Sequence, residues 1–150
     1  MSTLTRTLLC LVLAASATLH AGTSLSKVVI DGNLDATKTK VQGGESVNEY
    51  DKWGWTPLHW AVYYKYEAIT EYLLSKGADP NLPATKSYSS LKVKATPLII
   101  TGYYGMLPFA EMLLKHGAKV DMADASGMKA ADYAKQYEFT DVYDLLTRRR

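Results

Sequence analysis

Cysteine is nearly missing: the 150 residues contain one, Cys10, inside an apolar run near the N-terminus. Disulfides cannot hold the folded part together, and thiol chemistry leaves the set of possible functions. Net charge is nearly missing too, with 17 basic against 15 acidic residues. That balance supplies no global basic field of the kind nucleic-acid binding uses, and Arg148 to Arg150 read as a solvated chain end. The apolar run Leu8–Ala17 is too short for a membrane span of ~20 residues. A glycine-rich phosphate loop is absent, since Gly43 and Gly44 close a repeat instead. His59 and His116 belong to different elements and lack metal-ligand spacing, so no metal site is expected, and no cofactor. No nucleophile stands beside either in the pattern, and the chain offers no reaction.

What is present begins with 47% hydrophobic residues, enough for one domain with its own core. Arg6, the apolar run and the small residues after it predict a secretory signal peptide over 1–21, cleaved after Ala17 or Ala21. Cys10 has Leu8 and Leu9 ahead of it and apolar residues behind, unlike a lipidation site. The expected product is an exported, soluble, monomeric protein without membrane insertion. An oxidising compartment such as a bacterial periplasm suits it.

Internal repetition decides the fold. Gly44, Gly77 and Gly117 close the segments GESVN, GADPN and GAKVD and lie 33 and then 40 residues apart. Thr56, Thr96 and Lys129 lie 40 and then 33 apart. Both sets report a 33-residue period with seven extra residues between the second and third copies. Thr56 and Thr96 suit helix N-caps, and Pro57 and Pro97 suit the first helical position. Gly77 and Gly117 suit the left-handed residue after a helix end. In the second helix of each copy one apolar face recurs as Ile69, Tyr72 and Leu73, as Phe109, Met112 and Leu113, and as Val142, Leu145 and Leu146. The first copy has Ala36, Thr39 and Lys40 there, the polar outer face of a cap.

Residues 51–81 carry Asp51, Gly54, TPLH from Thr56 to His59, Ala61 and GADPN from Gly77 to Asn81, and so resemble the ankyrin-repeat family. The third copy keeps TPL from Thr96 to Leu98 with Ile99 in place of the histidine; the fourth keeps Asp124, Gly127 and Ala134 but has Lys129, Ala130 and Ala131 for TPL. The first keeps DGNLD from Asp31 to Asp35, with Gly44 and Asn48. The resemblance implies an all-α solenoid of four stacked helix-turn-helix repeats over 25–150, with copies at about 25–50, 51–83, 84–123 and 124–150 and atypical ends. Residues 82–95 replace an ordinary turn tip, either as an ordered finger beside the binding face or as a tolerated insertion.

The same resemblance places His59 as a hydrogen-bonding partner of neighbouring turn backbone. Asp51, Asp79, Asp121 and Asp124 fall at repeat junctions, where such side chains satisfy turns. It also implies that the positions flanking the turn glycine and those ending the first helix face a concave groove where partner proteins bind. Those positions hold Lys52, Trp53 and Trp55 at the turn, then Tyr63, Tyr64, Tyr103, Tyr104 and Tyr137, with Tyr64, Tyr104 and Tyr137 expected in one row. Trp and Tyr are enriched among interface hot spots. Their competing role is packing between copies, assigned here to Trp60. The function expected is a non-enzymatic module that inhibits, protects or scaffolds one partner protein, of which neutralising a toxic effector as an immunity protein is one form. A small-ligand binder or enzyme using the groove or the 82–95 loop is the alternative.

Overall fold

The computed structural model describes residues 23–148. The segment expected to be a signal peptide, with both expected cleavage positions, Cys10, Arg149 and Arg150, lies outside the described residues. Among the described residues eight short helices follow one another: α1 (Leu25–Ile30), α2 (Leu34–Gln42), α3 (Pro57–Tyr63), α4 (Glu67–Ser75), α5 (Pro97–Tyr104), α6 (Leu107–Lys115), α7 (Ala130–Gln136) and α8 (Thr140–Arg148). No strand occurs among the described residues, only two isolated bridges, Tyr88–Leu91 and Ala123–Lys129. Each copy contributes a helix pair. The first helices stack as α1, α3, α5 and α7, and the second helices line up behind them as α2, α4, α6 and α8. Helices of six to nine residues are too short to persist alone, so stacking must stabilise them.

Sequence determines where each helix starts. Thr96 Oγ1 accepts from Ile99 N at 3.3 Å, and Pro97 takes the first position. At α3 the cap is shared: His59 Nδ1 accepts from Thr56 N at 3.2 Å and from the Thr56 hydroxyl at 2.8 Å. At α7, where threonine is replaced by Lys129, Asp132 Oδ2 accepts from Lys129 N at 2.9 Å. After α4 and α6 the chain turns through Gly77 (φ 85) and Gly117 (φ 86), as the spacing predicts.

The core lies between the copies. Leu73, Leu113 and Leu146 occupy one place in successive copies and are all buried. Lys40 holds that place in the first copy with its side chain only 11% exposed and its ammonium paired with Glu45 at 2.7 Å; Ala36 is buried as well, so of the three residues expected on a polar outer face only Thr39 is exposed. Neighbouring copies are clasped by carboxamides. Asn48 accepts from Asp79 N at 2.8 Å and donates to Gly77 O at 3.1 Å, and Asn81 repeats this with Lys119 N at 2.8 Å and Gly117 O at 3.1 Å.

Candidate functional site

The turn before α3 is organised by one carboxylate. Asp51 Oδ1 accepts from the backbone N–H groups of Trp53 and Trp55, and Oδ2 accepts from Trp60 Nε1 at 2.7 Å. This sends the two turn tryptophans in opposite directions. Trp53 is 48% exposed, with the Lys52 ammonium 5.1 Å from its ring centre. Trp55 is wholly buried and therefore cannot meet a partner as the sequence suggests. It sits at the centre of an aromatic cluster, 4.6 Å from Trp60, 5.4 Å from His59 and 5.5 Å from Tyr63. Burying a whole indole releases more water than exposing it would, and the extra loop supplies the ring that covers it.

That ring is Tyr88, from the insertion. Its centroid is 4.8 Å from Trp60, 5.1 Å from Trp55, 5.7 Å from Tyr63 and 6.1 Å from Trp53. The loop is closed at its base by Ala84 N to Ala95 O (2.8 Å) and Lys94 N to Ala84 O (2.7 Å). It is hooked to the preceding tip by Thr85 N to Gly54 O (2.9 Å) and to the following one by Ala125 N to Val93 O (2.8 Å). Residues 82–95 are thus ordered against both neighbouring tips. Tyr88 and Ser90 cannot be placed from the repeat pattern, because an insertion has no counterpart in the other copies. The one hint was a lone aromatic beside the aromatic-rich copy.

Next to the cluster runs a file of tyrosines from the ends of α3, α5 and α7. Tyr64 meets Tyr63 at 5.2 Å, Tyr63 meets Tyr104 at 5.8 Å, Tyr104 meets Tyr103 at 4.8 Å and Tyr103 meets Tyr137 at 4.9 Å, all edge to face. The expected row of Tyr64, Tyr104 and Tyr137 thus includes Tyr63 and Tyr103 as the rings that join it. Its ends are exposed, Tyr64 at 38% and Tyr137 at 41%, while the three between are half-buried. Each such contact is worth ~0.5–1.5 kcal/mol beyond burial, so the file is a rigid surface rather than five independent side chains. Burial, then the neighbouring Tyr63, pushes the Tyr104 phenol up to about 12. Hydrogen bonding with Tyr137 and Ser90, then the charge of Lys92, draws the Tyr103 phenol down.

Tyr103 and Tyr137 also wall a hollow of about 440 Å³ between the insertion and the last copy, together with Ser90, Lys92, Ser126, Met128, Tyr133 and Gln136. Beneath it Asp124 accepts from Ser126 N, the Ser126 hydroxyl, Met128 N and the Tyr133 hydroxyl, and these bonds hold its carboxyl low against the opposing effect of burial. A second hollow of about 490 Å³ lies at the other end, where Lys52 and Trp53 face Ser24, Lys27 and Glu49.

His59 is part of the framework. Nδ1 accepts from Thr56, so the proton is on Nε2, which donates to Ala95 O at 3.1 Å. Burial lowers its pKa to about 4, leaving a neutral imidazole bonded across to the next tip. No three His, Cys, Asp or Glu side chains among the described residues are grouped to hold a metal ion. Among the same residues no helix is long and apolar enough to cross a membrane.

A family model described as ankyrin repeats (3 copies) matches residues 4–84, more than half of the chain. Protein phosphatase 1 regulatory subunit 27 of Homo sapiens is 42% identical over 65 residues, 42% of this chain and 42% of that protein. Calmodulin-binding transcription activator 6 of Arabidopsis thaliana is 50% identical over 48 residues, 32% of this chain and 6% of that protein. A putative ankyrin repeat protein of Borreliella burgdorferi is 32% identical over 74 residues, 49% of this chain and 31% of that protein. The chain spans less than half the length of these relatives.

Proposed function

We propose, from the premise that this chain belongs to the ankyrin-repeat family, that it is an exported module whose tyrosine face holds one partner protein in order to inhibit, protect or scaffold it. Ankyrin repeats mediate protein–protein interaction and are typically binding or regulatory modules rather than enzymes. The observation that carries the assignment to this face is which elements hold the exposed apolar side chains. Trp53, Tyr64, Val93 and Tyr137 are the large hydrophobics left exposed among the described residues, and all four belong to turn tips or first-helix ends. A rigid aromatic surface left open in water is characteristic of an interaction site. Export rests on Arg6 and the apolar run to Ala17.

The test is affinity capture of a partner from a periplasmic extract of the source cells, followed by titration calorimetry and melting of variants. Tyr64→Ala should weaken binding by ~1–3 kcal/mol in a protein that still folds, its melting temperature lowered only by the loss of the ring contacts to Trp60, Tyr63 and Tyr66. Tyr143→Ala, on α8, should leave affinity alone. Full affinity in Tyr64→Ala and Trp53→Ala would remove this face from the interaction. Turnover of a small molecule with no protein captured would favour a ligand-handling role. Export is checked separately: the N-terminus of the native protein should lie between Thr18 and Gly22, and a chain still starting at Met1 would refute it.

A further inference from the structure

We infer that the hollow between the insertion and the last copy is a subsite for a carboxylate, so that the partner lays an acidic segment along the tyrosine face with an Asp or Glu side chain seated against Lys92. This rests on the protein-binding reading above and narrows it. Lys92 is exposed at the rim, and none of the other side chains lining the hollow is ionised at neutral pH. No carboxylate among the described residues forms an ion pair with it. Of the neutral groups around it, the Ser90 and Tyr137 hydroxyls are turned to Tyr103, which leaves the Tyr103 hydroxyl and the Gln136 amide to donate to an anion.

The one negative charge close by, Asp124, is buried, and both its oxygens are occupied by protein donors, so it neither pairs with Lys92 nor lines the hollow. A cation with no carboxylate partner among the described residues, beside a phenol and an amide able to donate, is complementary to a carboxylate.

A nucleic acid would also meet a cation and aromatic rings, but single strands are held by a groove with several cations along the backbone path, and Lys92 is the one Lys or Arg in the lining of this hollow. The charge also sits on the insertion and not in the repeated framework. The added seven residues therefore supply partner selectivity on a surface that three copies build.

The experiment is selection of random twelve-residue peptides displayed on phage against the purified protein, with the winners synthesised and titrated. Winners should carry Asp or Glu and lose at least tenfold in affinity on Lys92→Glu, while Lys92→Arg keeps them within about threefold. Lys115→Glu, on α6, should change nothing, and rising salt should weaken binding. Melting curves check that Lys92→Glu, at an exposed loop position, remains folded. Winners lacking acidic residues, or indifferent to Lys92→Glu, overturn the inference; if those same winners lose affinity on Tyr64→Ala, the protein-binding reading survives. Winners indifferent to both lysine and tyrosine changes overturn both, as does no enrichment over the bare support. Binding of a twenty-residue oligothymidylate that depends on Lys92 and displaces the acidic winners would assign the subsite to phosphate instead.

Discussion

His59 shows how a single side chain carries both structure and a pH dependence. Its folded pKa of about 4 lies below the ordinary 6.5, so between those values the unfolded chain binds a proton that the folded one refuses. Stability contributed by neutral His59 is complete above about pH 6.5 and is lost as pH falls toward 4. Each tenfold loss of proton affinity on folding corresponds to ~1.4 kcal/mol, which puts about 3 kcal/mol at stake. Denaturant melts at pH 7, 5.5 and 4.5 should show this decline, and His59→Gln should be less stable at pH 7 but flatter between pH 6.5 and 4.5. Backbone strain offers a second case. Lys65 and Glu138 hold the left-handed conformation (φ 61 in each) that Gly105 holds in the third copy (φ 66). A side chain there costs ~1–2 kcal/mol, partly offset by the entropy glycine would lose. Lys65→Gly should therefore raise stability by ~0.5–1 kcal/mol. Gly105→Ala should lower it, because a Cβ would lie 2.5 Å from the Phe139 ring.

At the scale of elements, equivalent places change together. Asp51 bonded to Trp60 in the second copy recurs as Asp124 bonded to Tyr133 in the fourth, at 2.6 Å. In the third copy the same two places hold Leu91 and Ile100, both buried. The pair is polar and bonded or apolar, never mixed, because an unpartnered carboxylate or indole N–H in such a place costs ~1–3 kcal/mol. Leu91→Asp alone should accordingly destabilise well beyond that range, which urea melts would register. Helix contact sets another limit. On α5, a Cβ at Gly102 would fall 2.1 Å from the Ala130 carbonyl oxygen at the start of α7, and backbone cannot move aside as a side chain can. Gly102→Ala should cost more than ~2 kcal/mol, comparable with Leu113→Ala at ~2–5 kcal/mol. If the two melt like the wild type, the stacking order is wrong.

For the whole molecule, most of the architecture was legible because repetition states each rule several times. Thr56 and Thr96 as caps, Gly77 and Gly117 as stops and Leu73, Leu113 and Leu146 as one buried place follow from two spacings in the sequence. The site was less legible where it is not repeated. Trp55 flanks the turn glycine as Trp53 does, and only the seating of Tyr88 from a segment without a counterpart shows which of them is covered. Insertion and cluster should therefore behave as one unit. Replacing residues 85–94 by an ordinary short turn should uncover Trp55 and Trp60, shift tryptophan fluorescence to longer wavelength and lower the melting temperature.

The carboxamide clasps extend this reasoning from space to time. Asn48 ties the first copy to the second and Asn81 ties the second to the third, but the corresponding place before the fourth copy holds Asp121, a carboxylate with no N–H to donate. The array is therefore clasped by a carboxamide at two joints, while the third is joined at its tips by Ala125 N to Val93 O and has no such clasp behind α8, which gives it a direction of unravelling. Amide protons of α8 should exchange with deuterium ahead of those in α4 and α6. A partner gripping Tyr137 from one side and Tyr64 from the other would then act as a strap across the loose joint, and its arrival would be visible as protection in a helix it never touches.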